Sequence, residues 1–418
     1  MLDRSSPPSF LKEFSFKLPA PDIIEINDHL DFVLLKNLEQ NVFKLEVVFA
    51  SGKWFEPKPG VSYFTAEMLD KGTKTKTSLE IAKTLEYYGA QIEISSGVDF
   101  LSASVYGLKK FLKETVNIFY EIITDPIFAE DELASLKKIY IQNLRVNKEK
   151  NSYVASQLIR KNIFGSTHPY GNSIEESDVL NLTSVDLVNY FTAHFFLQEI
   201  YFIGNLAPQE VLWLTNEFKA YKNLPNLNQN HQITKGVPSE HIQKEGSLQT
   251  SIRMGKQIVN RDHKDFPSVL LANHILGGFF GSRLMKNIRE DKGMTYGIYS
   301  SINPFKKDAL LTIATDVNNQ NLDLAVMEIK SEIKILQNEL MGTNELTLAK
   351  NHFLGSLVSE VSNPFLCLAK FKTQRLNSLP KNYYEVLFNS INACNAEQVQ
   401  YSSQQYFATD ELSLVSVG

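Results

Sequence analysis

A pattern of residues occurs twice in the 418-residue chain, in the same order and about half a chain apart. The first pair of segments begins at Glu130 and at Thr343, and both are typical of the first turn of a long helix. The second pair begins at Thr183 and at Asn395, where each segment predicts a capped helix followed by an apolar strand ending in glycine. A repeat of this length predicts two tandem homologous domains.

The composition of the chain changes between the two copies. Residues 221–231 are polar, rich in asparagine and interrupted by a proline, which is typical of an exposed connection. We therefore predict an N-terminal domain over residues 1–222, a linker over 223–239 and a C-terminal domain over 240–418.

Strand and helix patterns alternate within each copy. Residues 43–49 alternate as a strand, and residues 91–94 followed by 101–106 predict a hairpin. Apolar residues at helical spacing over 112–123 predict a helix that stops before Asp125 and Pro126. Hairpin-linked strands followed by paired helices favour the α+β class, with an antiparallel-rich sheet covered by helices on one face in each domain.

Charge and composition exclude several classes of function. Lys and Arg total 42 against 47 Asp and Glu, a net charge of −5, so nucleic acid is not an expected partner. The longest uncharged stretch, residues 266–282, is too short and too broken by polar residues and glycines to span a membrane. The first residues do not resemble a signal peptide, and Cys367 and Cys394 form no disulfide or zinc-binding pattern, so we expect a cytoplasmic protein.

The most informative stretch for function is residues 60–73. Val61, Phe64, Met68 and Leu69 have helical spacing, and Gly72 could end the helix. This stretch resembles the active-site helix of the insulinase/pitrilysin metallopeptidases and of mitochondrial processing peptidase, whose inverted zinc motif is H-x-x-E-H. Segments that also match the family are residues 75–82, 89–92, 168–171 (His-Pro-Tyr-Gly) and 283–296.

The resemblance implies that the zinc-binding residues have been replaced. The two histidine ligands fall on Tyr63 and Glu67, the general-base glutamate falls on Ala66, and the third ligand falls at or beside Asn143. A neutral phenol is a poor zinc ligand, and alanine cannot accept a proton from a zinc-bound water. We therefore expect no cofactor and no metal in this chain, and no peptidase activity from this chain alone.

Arg289 and Tyr296 are the candidate functional residues of the C-terminal domain. The sequence places Arg289 near a helix end capped by Gly293 and Tyr296 at the start of a strand, and a purely structural role fits both. The resemblance implies another role, because peptidases of this family place an Arg/Tyr pair opposite the zinc. There the pair binds the substrate backbone and stabilises the oxyanion.

Two functions follow from the resemblance. The first is a substrate-binding subunit that supplies Arg289 and Tyr296 in trans to an extended peptide. Its partner is a zinc-bearing homologous subunit in a heterodimer, or a second copy in a homodimer, with the zinc in the partner. The alternative is a non-catalytic scaffold or interaction protein in which the pair serves only packing. Presequence recognition is not implied, because residues 277–281 are short and contain two phenylalanines where the mitochondrial subunit has a long glycine-rich loop.

Overall fold

The computed structural model describes residues 16–36, 41–221 and 229–418 of the chain. Within these residues the chain forms two β-sheets, each accompanied by its own set of helices. The predicted domain boundaries at 222 and 239 remain a prediction, since residue 222 and the first part of the predicted linker, residues 223–228, lie outside the described residues.

The N-terminal sheet has six strands in the order β1-β2-β6-β3-β5-β4. Only β2 and β6 pair in parallel, and every other neighbouring pair is antiparallel. The strands are β1 (Asp22–Asn27), β2 (Leu30–Leu35), β3 (Val42–Phe49), β4 (Gln91–Ser96), β5 (Leu101–Leu108) and β6 (Leu197–Ile203). The accompanying helices are α1 (Val61–Glu67), α2 (Ser78–Tyr88), α3 (Leu112–Thr124), α4 (Glu130–Lys148), α5 (Asn151–Phe164), α6 (Glu176–Asn181), α7 (Ser184–His194) and α8 (Pro208–Lys219).

The C-terminal sheet has five strands in the order β7-β11-β8-β10-β9, and again a single pair, β7 and β11, is parallel. Its strands are β7 (Ser239–Ile242), β8 (Gln249–Gln257), β9 (Ile298–Pro304), β10 (Ala309–Asn318) and β11 (Ser413–Val417). Its α-helices are α9 (Phe266–Asn273), α10 (Leu322–Asn338), α11 (Thr343–Val361), α12 (Pro364–Leu376), α13 (Tyr383–Ala393) and α14 (Ala396–Tyr406). Two π-helical segments, His274–Gly278 and Met285–Asp291, complete it.

The two sheets are copies of one topology. Apart from the additional edge strand β1, the N-terminal order β2-β6-β3-β5-β4 corresponds strand for strand to the C-terminal order β7-β11-β8-β10-β9. The repeated helices have equal lengths, since α4 and α11 each contain 19 residues, and α7 and α14 each contain 11. Thr183 and Asn395 cap α7 and α14 through the same reciprocal pair of hydrogen bonds. The predicted fold class is therefore confirmed: α+β, with two similar antiparallel-rich sheets.

Each half also covers the second face of the other half's sheet. Helix α5 packs against the C-terminal sheet, where Ile159 and Ile163 are buried with Val415 and Val417. Helix α12 packs against the N-terminal sheet in the corresponding way, and Leu368 is buried with strand residues of β2, β3 and β6. Because successive strand residues point to opposite faces, each sheet contributes side chains to its own helices and to the helix of the other half.

Charged groups reinforce the contact between α12 and the N-terminal sheet. The Arg375 Nε lies 2.9 Å from the Glu199 Oε1, and its Nη2 lies 2.6 Å from the Asp31 Oδ2. Lys372 on the same helix pairs with the buried Glu46 at 2.5 Å. These ion pairs join residues more than 170 positions apart, so they depend on the two halves having come together.

No helix within the described residues is long and apolar enough to cross a membrane.

Candidate functional site

Helix α1 carries the predicted zinc-site positions of the N-terminal half. Val61, Phe64 and Ala66 are completely buried, and burial of the larger apolar side chains contributes about 1.5–3 kcal/mol each. Tyr63 and Glu67, four residues apart, share the partly exposed side of the helix. The helix ends at Glu67 and is shorter than predicted. The chain then leaves the helix because Gly72 and Thr73 form β-bridges to later residues, so Gly72 is not the cap.

Burial disfavours the deprotonated forms of Tyr63 and Glu67. Partial burial raises the pKa of Glu67, and the neighbouring Asp70 charge raises it further. Partial burial also raises the pKa of Tyr63, with an additional contribution from the Glu67 charge. A zinc ligand must be deprotonated, so the phenol and the destabilised carboxylate are a poor donor pair.

An aromatic ring from α4 lies against this side of α1. The ring of Tyr140 is 5.1 Å from the ring of Tyr63 and 5.2 Å from that of Phe64, measured between centroids. Burial raises the pKa of Tyr140, so its phenol stays neutral as well. Asn143, the predicted third position, is exposed one turn further along α4. The structure therefore places Tyr63 and Glu67 on one side of α1 and packs Tyr140, a residue that the sequence did not single out, against Tyr63 and Phe64.

The residues at this place do not fit a zinc ion. The donor set on α1 is one phenol and one carboxyl, and the α4 side chain in contact with Tyr63 is another phenol, that of Tyr140. In residues 16–36, 41–221 and 229–418, no group of three or more His, Cys, Asp or Glu side chains could hold a metal ion.

Arg289 lies in the π-helical segment Met285–Asp291 of the C-terminal half and is half-buried. Its guanidinium carbon sits 4.8 Å from the ring centroid of Phe280, a cation–π contact, and 60% of Phe280 is exposed. No carboxylate among the described residues forms an ion pair with Arg289. The guanidinium N–H groups of Arg289 are therefore not bound by any acidic side chain among the described residues.

Tyr296 is 92% exposed, although both of its neighbours are held in place. The Thr295 Oγ1 donates to the backbone oxygen of Asp316 at 2.7 Å. The Thr315 hydroxyl on β10 lies 3.0 Å from the Thr295 Oγ1 and 3.0 Å from the Gly297 oxygen. The prediction that Tyr296 begins a strand is wrong, because β9 begins at Ile298. Before Ile298, the side-chain hydrogen bonds of Thr295 and Thr315 take the place of backbone hydrogen bonds between neighbouring strands.

Two histidines and a phenylalanine hold the glycine-containing segment before Arg289. The rings of His274 and His352 approach to 3.1 Å between Nε2 and Nδ1, and Phe279 stacks on His274 and packs at a tilt against His352. Burial, with a smaller effect of His352, lowers the pKa of His274 to about 4. Sequence patterns do not reveal this cluster, because its two histidines are 78 positions apart.

The fold and this site together define a peptidase-like protein with two similar halves and no histidine on its first helix. Comparison with known families agrees. The model of the insulinase family (peptidase family M16) matches residues 32–178, and the model described as the peptidase M16 inactive domain matches residues 182–353. The chain belongs to the insulinase family of peptidases, M16.

Relatives with curated names share about a fifth of their residues with the chain. An "uncharacterized zinc protease YmxG" of Bacillus subtilis is 22% identical over 85% of this chain and 88% of its own length. A "non-peptidase homolog YmxG" of Helicobacter pylori is 23% identical over 86% of this chain and 84% of its own.

Solved structures share the complete architecture. A peptidase M16 inactive domain protein from Pseudomonas fluorescens superposes with a TM-score of 0.87 at 25% identity, covering 95% of this chain and 98% of that chain. A protease from Helicobacter pylori has a TM-score of 0.84 at 17% identity, covering 96% of this chain and 100% of that chain. Together with the replaced motif residues, these matches identify the chain as a peptidase-like member of the family whose first helix lacks the H-x-x-E-H residues.

Proposed function

We propose that the chain is the substrate-binding subunit of a two-chain zinc peptidase, in which Arg289 and Tyr296 act in trans. The observation that carries the proposal is a contrast between the two halves. In the N-terminal half the metal positions hold a phenol packed against Tyr140. In the C-terminal half the side chain of Tyr296 is exposed while its neighbours are fixed, and Arg289 has no acidic partner among the described residues.

The chemistry of the pair suits an extended peptide at the site of cleavage. A guanidinium offers several donors in a fixed plane, which can bind peptide carbonyl oxygens. A phenol can donate a hydrogen bond to the oxyanion that forms when water attacks the scissile carbonyl. The partner then supplies the zinc, the general base and the sheet edge along which the peptide lies.

The partner in this proposal is a homologous subunit with an intact zinc motif. A homodimer lacks zinc donors at the Tyr63 position in both copies, so it offers no centre for the pair to complete. We therefore favour a heterodimer over the homodimer.

The exposure of Tyr296 also argues against the alternative of a scaffold. If the pair served only packing, its side chains should be buried against neighbouring elements, as Tyr190 and Tyr201 are. Tyr296 instead exposes 92% of its surface.

The proposal is tested by reconstitution. The tagged chain is purified from its own cells with whatever zinc-bearing subunit accompanies it, and the two subunits are then separated. Hydrolysis of a library of unstructured peptides is measured for each subunit and for the mixture, and the zinc content of each is determined. We expect zinc in the partner only and hydrolysis by the mixture only. Equal hydrolysis by the partner alone would contradict the proposal, and the absence of any zinc-bearing partner would favour a scaffold.

A further inference from the structure

Phe280 is an exposed aromatic residue whose one described ring contact is with Arg289. Its ring is 60% exposed, and the guanidinium carbon of Arg289 lies 4.8 Å from the ring centroid. Neither hydrophobic core of the C-terminal half includes this ring. An exposed phenylalanine gains little from burial, so the folding of the domain does not explain it.

The segment around Phe280 is anchored from its buried side. Phe279 stacks on His274 with 4.7 Å between the ring centroids and an angle of 13° between the planes, and it packs at a 33° tilt against His352 at 4.8 Å. A Cβ atom at Gly278 would lie 2.7 Å from the His274 Nδ1, and one at Gly281 would lie 2.8 Å from the Phe279 ring. Glycine is therefore needed on both sides of the two phenylalanines. With Phe279 fixed inward, Phe280 is held at the surface.

We propose that Phe280 is a positioning residue, which holds the guanidinium of Arg289 over its ring so that the guanidinium edge presents its donors to the bound peptide. This inference rests on the proposed function of Arg289. The physical reason is that a free arginine side chain samples many rotamers, and a guanidinium held against a ring gives up much of that freedom before substrate binds. The cation–π contact leaves the N–H donors at the edge of the guanidinium free for hydrogen bonds.

The first test does not need a partner. In protein with ¹³C-labelled arginine, the Phe280 ring current should shift the Arg289 side-chain resonances. The substitution Phe280→Leu should abolish that shift, and Phe280→Tyr should restore most of it. Tyr401→Leu, which removes another exposed ring of the C-terminal half, is the matched control and should leave the shift unchanged. The melting temperature of Phe280→Leu should match that of the wild type. Arg289 resonances that are the same in wild type and Phe280→Leu would overturn the inference.

The second test uses the reconstituted pair of subunits. We expect Phe280→Leu to lower kcat/KM about two- to fivefold, the factor that corresponds to one exposed cation–π contact, while Phe280→Tyr keeps wild-type values. In the Arg289→Ala background, Phe280→Leu should have no further effect, because there is no guanidinium left to position. If Arg289→Ala impairs turnover and Phe280→Leu does not, the positioning role fails and the proposed function stands. If neither has an effect, the proposed function fails.

Discussion

The ring of Tyr140 on α4 packs against the ring of Tyr63 on α1, with 5.1 Å between centroids and an angle of 55° between the planes. The two residues are 77 positions apart, and the contact decides what the first helix of the N-terminal half can do. Because Tyr140 of α4 is the residue in ring contact with α1, we infer that position 140 is the best placed on this helix to supply a metal ligand.

This contact predicts how zinc binding could be introduced. Tyr63→His with Glu67→His places two imidazoles on one face of α1, and two ligands should bind zinc only weakly. Adding Tyr140→Glu should increase the zinc affinity about tenfold or more. Even residues that only hydrogen-bond to a metal ligand change the affinity by about this factor, and a direct ligand should do at least as much. Adding Asn143→Glu should change the affinity little, because that position is exposed. Competition titration with a fluorescent zinc chelator measures these affinities, and a larger gain from Asn143→Glu would contradict the assignment of Tyr140.

Substitution of the Arg/Tyr pair should reduce peptide hydrolysis by the reconstituted complex. We expect Arg289→Ala or Tyr296→Phe to lower turnover by roughly tens- to hundreds-fold, a range that overlaps the effect of removing one oxyanion donor. Lys286→Ala, on the same π-helical segment, and Tyr401→Phe, at another exposed tyrosine, are matched controls that should retain turnover. Steady-state kinetics of the complex checks the result. Unchanged turnover in both variants would eliminate the catalytic role of the pair.

The ion pair between Arg375 and Glu199 predicts a large effect on stability. Arg375→Met leaves Glu199, which is 7% exposed, without its cation, and should lower the free energy of unfolding by about 3 kcal/mol. The double variant Arg375→Met with Glu199→Gln should recover part of this loss, because no buried charge is then unpaired.

Urea unfolding monitored by circular dichroism measures both changes. The exposed pair of Arg145 and Glu176 provides the control, since Arg145→Met removes a solvent-screened contact and should cost much less. Equal losses from the two arginine substitutions would show that the Arg375 contact is also effectively screened.

Two buried histidines predict a loss of stability in mild acid. Burial lowers the pKa of His274 and of His168 to about 4, from the ordinary value of 6.5, with smaller contributions from His352 and His231. Between pH 6.5 and pH 4 the unfolded chain therefore binds more protons than the folded protein, and the free energy of unfolding falls as the pH falls. Across this window we expect each of the two histidines to contribute a loss of about 3 kcal/mol.

The double variant His168→Gln with His274→Gln isolates this contribution. Its unfolding free energy, measured by urea titration at several pH values, should depend less steeply on pH between 6.5 and 4 than that of the wild type. Parallel curves for the two proteins would assign the acid sensitivity to other groups.

Elements with strong local patterns were predicted well from the sequence. The helix expected over 112–123 is α3, Leu112–Thr124, and the hairpin expected after residue 90 is the antiparallel pair β4 and β5. The helix over 60–73 was predicted too long, because the bridges of Gly72 and Thr73 to later residues end it earlier. Such competition between a local pattern and a distant partner is not visible in a short window of sequence.

The sequence by itself determined the repeat, the α+β class and the loss of the zinc donors, because these depend on side-chain types and short spacings. Only the tertiary structure decided that Tyr140 faces Tyr63, that Arg289 rests on Phe280 and that α5 and α12 each pack on the other half's sheet. Except for the short step from Phe280 to Arg289, these contacts join residues far apart in the chain. All of them arise from the packing of helices and sheets. The local periodicity of the sequence predicts which face of an element is buried, but not which distant residue packs against it.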